Sequence, residues 1–236
     1  EFRGRMTDDS ILLVVLFGHG TFDGIDSKFN LVGPDLEAAE WRALLDVLPG
    51  SVVFVDTTAA SYPFLTRLAG ERRVVITATE SAVQQYDTVF PRFFVQAFIE
   101  AAADSDKNGR LSVWEVFEFT SRQVRRWYQQ QGRLATERSL LDDTADGVGR
   151  EAGQPGSDGS RSARLYVGAG IAVPPAIASP SLVPLVARRA DLEDRVADLK
   201  VRKGDMQNDA YQAELEPLLI ELARVSREIR RKTATN

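Results

Sequence analysis

The sequence predicts an α/β fold: a mostly parallel sheet flanked by helices, followed by an antiparallel helical hairpin. Three observations carry this. Short apolar runs at residues 11–16 (ILLVVL), 51–56 (SVVFVD) and 73–77 (RVVIT) show no helical stripe and read as buried strands. Helical stretches separate them, and strand–helix–strand order implies right-handed crossovers and parallel pairing. Near the C-terminus the apolar spacing changes to alternating steps of three and four, the mark of paired helices.

Composition sets the outer bounds. A chain of 236 residues that is 44% hydrophobic can bury a full core. Its formal net charge of -5, with no long basic block, predicts no nucleic-acid partner. No run approaches the ~20 apolar residues of a membrane span, so no membrane partner is expected. Cysteine is absent, which excludes disulfides, thiolate metal sites and a thiol nucleophile. The opening EFRGRM is neither a signal peptide nor an evident native start, so an upstream part is expected to be missing or replaced.

The first run stops at Gly18-His19-Gly20. It therefore sets the only histidine of the chain at the carboxyl end of a central strand, where open α/β sheets place their ligands. The competing reading is a turn histidine hydrogen-bonded to backbone. Residues 21–34 follow as a turn-rich loop. Asp35 is placed to cap a helix over residues 36–48, with Leu36, Ala39, Leu44 and Leu48 near one face. Pro49-Gly50 ends it. After the second strand, small residues from Thr57 to Ser61 open a helix towards Leu68, and a polar loop over 78–87 follows the third strand. Residues 90–103 are predicted as a helix whose aromatics (Phe90, Phe93, Phe94, Phe98) are spaced for core packing, as are Trp114, Phe117, Val124 and Tyr128 in a helix over 113–131. Residues 142–162 read as loop and 163–167 (ARLYV) as a further strand. Four prolines between Pro174 and Pro184 mark a linker over 173–184.

The hairpin is expected over 185–232, with Leu192, Val196 and Leu199 on one helix and Leu215, Leu218, Leu222, Val225 and Ile229 on the other. Its turn falls near 203–208, and Pro217 is a point of kinking. It either packs on its own domain or serves self-association or a partner.

The most specific motif is residues 104–115. A hard dication needs several oxygens converging on one point. Asp104, Asp106 and Asn108 offer side-chain oxygens at the first, third and fifth places. Gly109 makes the sharp turn, Arg110 offers its carbonyl, Ser112 acts directly or through water, and Glu115 closes the shell. This is an EF-hand-type calcium loop between two predicted helices; the alternative is an acidic helix-to-helix turn. A second acidic loop, Asp142-Asp143-Thr144-Ala145-Asp146-Gly147, lacks the closing carboxylate, with Gly153 in its place. It reads as a solvated turn or a weak extra cation site.

Several phrases, in order, carry a resemblance. They are Gly18-His19-Gly20-Thr21-Phe22-Asp23-Gly24, Lys28-Phe29-Asn30-Leu31, residues 52–61, Val75-Ile76-Thr77-Ala78-Thr79, Ala135-Thr136-Glu137 and Leu140-Leu141-Asp142-Asp143. Over residues 10–149 the chain resembles the caspase–hemoglobinase fold, in particular the legumain-like branch, peptidase family C13, and its bacterial relatives; the helical tail is also similar to theirs. The resemblance implies a caspase-like domain over 10–172. It makes His19 the proton-transfer residue and the Gly20 N–H an oxyanion donor. Ser61 matches the serine of Cys-x-Ser-Gly, which puts the nucleophile position at Ala59, while Tyr62 replaces the glycine. It also implies strands before residue 11, missing here or supplied by another chain, since without them that strand is an apolar edge. An exported or periplasmic location follows from the resemblance alone.

An alanine methyl cannot attack a carbonyl, so covalent catalysis is absent unless another group replaces the thiol. Either the chain naturally lacks its nucleophile or the residue has been replaced. The leading expectation is an inactive peptidase homologue that binds calcium and acts in binding or regulation, with a peptide or protein ligand in the His19 cleft. The alternatives are a hydrolase using Ser61 or Thr58 as hydroxyl nucleophile, with Asp56 or Asp23 as orienting group, and a helical assembly scaffold.

Overall fold

The structure, a computed structural model, describes residues 2–82, 86–106, 108–154, 156–167, 182–202 and 206–234. The chain divides into two compact units. One comprises Glu1–Ser105 with Leu111–Val167, the other Asp106–Arg110 with Gly168–Asn236.

The first unit is α/β. Strands β1 (Ile11–Leu16), β5 (Ser51–Asp56) and β6 (Arg73–Thr77) are parallel, as their apolar runs predict. The register sets Leu16 beside Asp56 and Asp56 beside Thr77, so the three strands end level. A short strand missed in the sequence, β7 (Leu140–Asp142), adds antiparallel to β6 and gives the order β1-β5-β6-β7. The expected loop over 142–162 therefore begins inside a strand.

Alternation along β5 explains the layers. Val53 and Val55 join a core with Phe90, Phe94, Val116 and Phe117; Val52 and Phe54 join another with Leu45, Phe64, Leu65 and Leu68. Helices α1 (Ala38–Asp46) and α2 (Tyr62–Leu68) supply the second core. Helices α3 (Phe90–Ala97) and α4 (Val113–Gln130) supply the first. Each fully buried phenylalanine contributes about 1.5–3 kcal/mol through area removed from water.

Several boundaries differ from expectation. The turn-rich stretch after His19 folds into a second, antiparallel sheet of β2 (Gly20–Phe22), β3 (Ser27–Phe29) and β4 (Leu36–Glu37), in that order. Helix α1 thus starts two residues later than residue 36. Asp35 does not cap it but accepts the Leu31 N–H, while the Glu37 N–H donates to Glu40 at 2.9 Å. Ala38 and Leu45 face the core, and Leu44 is exposed. Helix α3 stops at Ala97, followed by a 3-10 turn at Ala101–Ala103. Phe98 is partly exposed but still packs edge-on against Phe94. The expected strand over 163–167 is a single antiparallel bridge, Tyr166 to Ser112, flanked by Val113 N–H to Leu165 and Val167 N–H to Leu111.

In the second unit, α5 (Val183–Arg202) and α6 (Asn208–Ala234) lie antiparallel, joined by Arg188–Glu221 at one end and Arg202–Glu214 at the other. Leu192, Val196, Leu199 and Ile229 are buried as the spacing predicts, and Tyr211 joins them. Pro217 lies inside α6. The expected linker falls outside the described residues up to 181, and its last two positions begin α5. No helix among the described residues is long and apolar enough to cross a membrane.

Candidate functional site

A cleft of about 530 Å³ opens beyond the ends of β1 and β5, lined by Gly18, His19, Gly20, Ala59, Asp87 and Thr88 among others. Of the four positions that the resemblance places in catalysis, His19, Gly20 and Ala59 share this cavity. The His19 carbonyl accepts the Asn30 N–H at 3.0 Å, which ties this turn to the end of β3. Its imidazole is exposed, with Nδ1 3.6 Å from Asp87 Oδ1. Gly20 is required by close approach: a Cβ there would lie 2.5 Å from Thr58 Oγ1.

Ser61 is different. It is buried, its Oγ within 3.0 Å of Thr79 Oγ1 and accepting the Thr79 N–H at 3.2 Å. Thr79 Oγ1 in turn donates to the Ala59 carbonyl at 3.1 Å. Ser61 and Thr79 therefore hold the Ala59 turn from below. The Thr57 hydroxyl is likewise committed, donating to the Leu16 carbonyl at 2.7 Å, and Thr58 is buried under Gly20. Asp23 turns onto its own loop, accepting the Ile25 and Asp26 N–H groups. Asp56 lies wholly buried at the end of β5, and that burial raises its carboxyl pKa to about 6.

No known family matches the chain, and no curated protein matches it.

The acidic loop has its own geometry. One oxygen each of Asp104, Asp106 and Glu115 lies within 4.8 Å of the others, a cluster that could hold a metal ion. Asn108 and Arg110 follow the Asp106 turn: the Asn108 N–H donates to Asp106 at 3.0 Å and the Arg110 N–H to Asn108 at 2.7 Å. Ser112 caps α4. Its Oγ accepts the Glu115 N–H, and Glu115 accepts the Ser112 N–H and hydroxyl with one oxygen. The other Glu115 oxygen accepts from Ser105. Glu115 is thus a helix-capping residue as well as a candidate ligand.

The second acidic loop is only in part the solvated turn expected of it: residues 144–146 are exposed, but the carboxylates that start it are not. Asp142, Asp143 and Asp158 are all buried. Asp142 accepts N–H groups from Thr144, Ala145 and Gly147, which holds Ala145 at φ 70°. Asp143 accepts from Gly159 and Ser162, and Asp158 accepts the Asp143 N–H at 2.9 Å. Burial raises the pKa of Asp142 and Asp158 despite these donors.

Two residues escaped sequence reasoning. Glu137 is buried and accepts the Val89 and Phe90 N–H groups at the start of α3, together with the Tyr128 hydroxyl at 2.7 Å. Burial raises its pKa. Asp87 sits in a polar loop with no motif around it; its only sequence signal is its position after the third strand, level with the His19 turn.

Proposed function

We propose that the chain is a caspase–hemoglobinase-type domain of the legumain-like branch that lacks covalent catalysis and works by binding. It takes a peptide or protein segment in the His19 cleft and calcium at residues 104–115. The observation that carries this is the meeting of His19, Gly20 and Ala59 in one cavity of a chain without cysteine. The engagement of Ser61 with Thr79 supports it further, because that hydroxyl is committed beneath the turn.

The donor set of the loop suits calcium. Three carboxylates converge, and hard oxygen ligands in a flexible loop are what that ion prefers. Asp104, Asp106 and Glu115 would hold it, joined by the Asn108 side chain, the Arg110 carbonyl and Ser112. When bound it neutralises the mutual repulsion of the carboxylates.

The test is Ala59→Cys. A thiol beside His19 gains thiolate character, and iodoacetamide labels it faster than a cysteine placed at exposed Gln129. His19→Ala slows that labelling. Equal rates at both positions, or indifference to His19, would remove the assigned site.

A further inference from the structure

We propose that the cleft takes an extended peptide segment by a lysine or arginine side chain, received by Asp87. This rests on the peptide-binding reading above and names its ligand class. Among the described lining residues Asp87 is the only carboxylate, and none is lysine or arginine. Its side chain is 89% exposed. His19 is its one described ion partner, and 3.6 Å exceeds a hydrogen bond, so the carboxylate retains its accepting capacity.

Shape agrees with charge. Gly18, Ala59 and Ala82 leave room for a long side chain, while Phe22 and Pro91 give apolar walls. A methylene stem lies along such walls while its cationic head reaches an acceptor. The backbone has a partner too. β2 ends its sheet, so one edge pairs with no strand among the described residues, and Gly20, Thr21 and Phe22 all line the cleft. An extended segment adds to such an edge by main-chain hydrogen bonds, leaving alternate side chains to set specificity.

The test uses fluorescein-labelled peptides Gly-Ala-Ala-Xaa-Ala-Gly with Xaa arginine, lysine, norleucine or glutamate, read by anisotropy with the whole chain. The arginine and lysine peptides should bind about fourfold more tightly than the norleucine peptide, the value of one ion pair at an exposed carboxylate. In Asp87→Asn that ratio should fall to within about twofold, with unchanged circular dichroism. Equal affinities in the parent chain, or a preference that survives Asp87→Asn, overturns the proposal. A second variant separates the levels. Ala59→Cys coupled to a bulky maleimide blocks the cleft. If the block abolishes binding but no basic preference exists, only this proposal fails. If binding survives the block, or no peptide binds, the peptide-cleft reading fails with it.

Discussion

The Asp56 carboxylate accepts the Thr58 backbone N–H at 2.9 Å through Oδ1, while neither its Oδ2 nor the Thr58 hydroxyl makes a hydrogen bond of good geometry. Both groups lie under the turn that carries Ala59. Ionised Asp56 is therefore a buried charge supported by Thr58, and burial outweighs that support, so its folded pKa of about 6 stands above the ordinary 3.8. The folded state holds this proton more tightly than the unfolded chain. The resulting stability is fully present below about pH 4 and is lost as pH rises through about 6. The difference is worth about 3 kcal/mol. Asp142, Asp158 and Glu137, also raised by burial, act in the same direction. Urea unfolding of Asp56→Asn between pH 4 and 7 should show a shallower fall of stability than the parent chain. An identical pH profile would mean that Asp56 is not buried as described.

Glu137 carries the start of α3. Two backbone donors and the Tyr128 hydroxyl converge on it in the interior. Glu137→Ala leaves them without acceptors and should cost about 3 kcal/mol, whereas Glu137→Gln keeps one carbonyl oxygen and should cost less. Chemical denaturation orders the three proteins. A Glu137→Ala protein as stable as the parent would contradict the network.

Gly20 and Thr58 form a steric pair. Gly20→Ala places a methyl 2.5 Å from Thr58 Oγ1 and 3.2 Å from the Lys28 carbonyl, which should destabilise the fold by about 1–3 kcal/mol. Thr58→Ala removes the first obstacle, so the double variant should recover part of the loss. Additive losses in the cycle would mean the two residues do not meet.

What was legible in the sequence, and what was not, follows from scale. β5 and β6 are short strands of six and five residues whose centres, Val52–Val55 and Val74–Ile76, are uninterrupted apolar runs, and burial on both faces leaves few other readings. β2, β3, β4 and β7 are two or three residues long, too short for any period to show, and their pairing partners lie elsewhere in the chain. His19 was readable because it closely follows the apolar strand β1, whereas Ala59 was placed only by the resemblance, through Ser61. Ser61 shares the same phrase, but only the Thr79 contact reveals that its hydroxyl is spent. The loop over 142–162 looked solvated because acidic residues usually are. Asp142, Asp143 and Asp158 are instead buried against backbone N–H groups, a pairing that leaves no compositional trace. Asp87 came to light only through its distance to His19.

The last prediction concerns residues 104–115. Without a cation, Asp104, Asp106 and Glu115 crowd like charges within 4.8 Å. A ligand that binds only the folded state adds about 2.7 kcal/mol at a hundred times its dissociation constant. For a chain of this size each kcal/mol raises the melting temperature by about 2–4 °C. Calcium should therefore stabilise the protein, with binding heat measurable by calorimetry. Magnesium should act weakly, because it favours a tight octahedron and keeps its waters. Glu115→Gln is the informative variant. Glutamine keeps one carbonyl oxygen for the capping box with Ser112, so α4 keeps its start while the ligand charge is gone, but its amide nitrogen cannot accept from Ser105. Its melting temperature without calcium should fall, because the Ser105 donors lose their acceptor, and the calcium shift should largely disappear. A full shift in Glu115→Gln, or no calcium heat and no response to chelator in the parent chain, would reduce the loop to a capped helix turn.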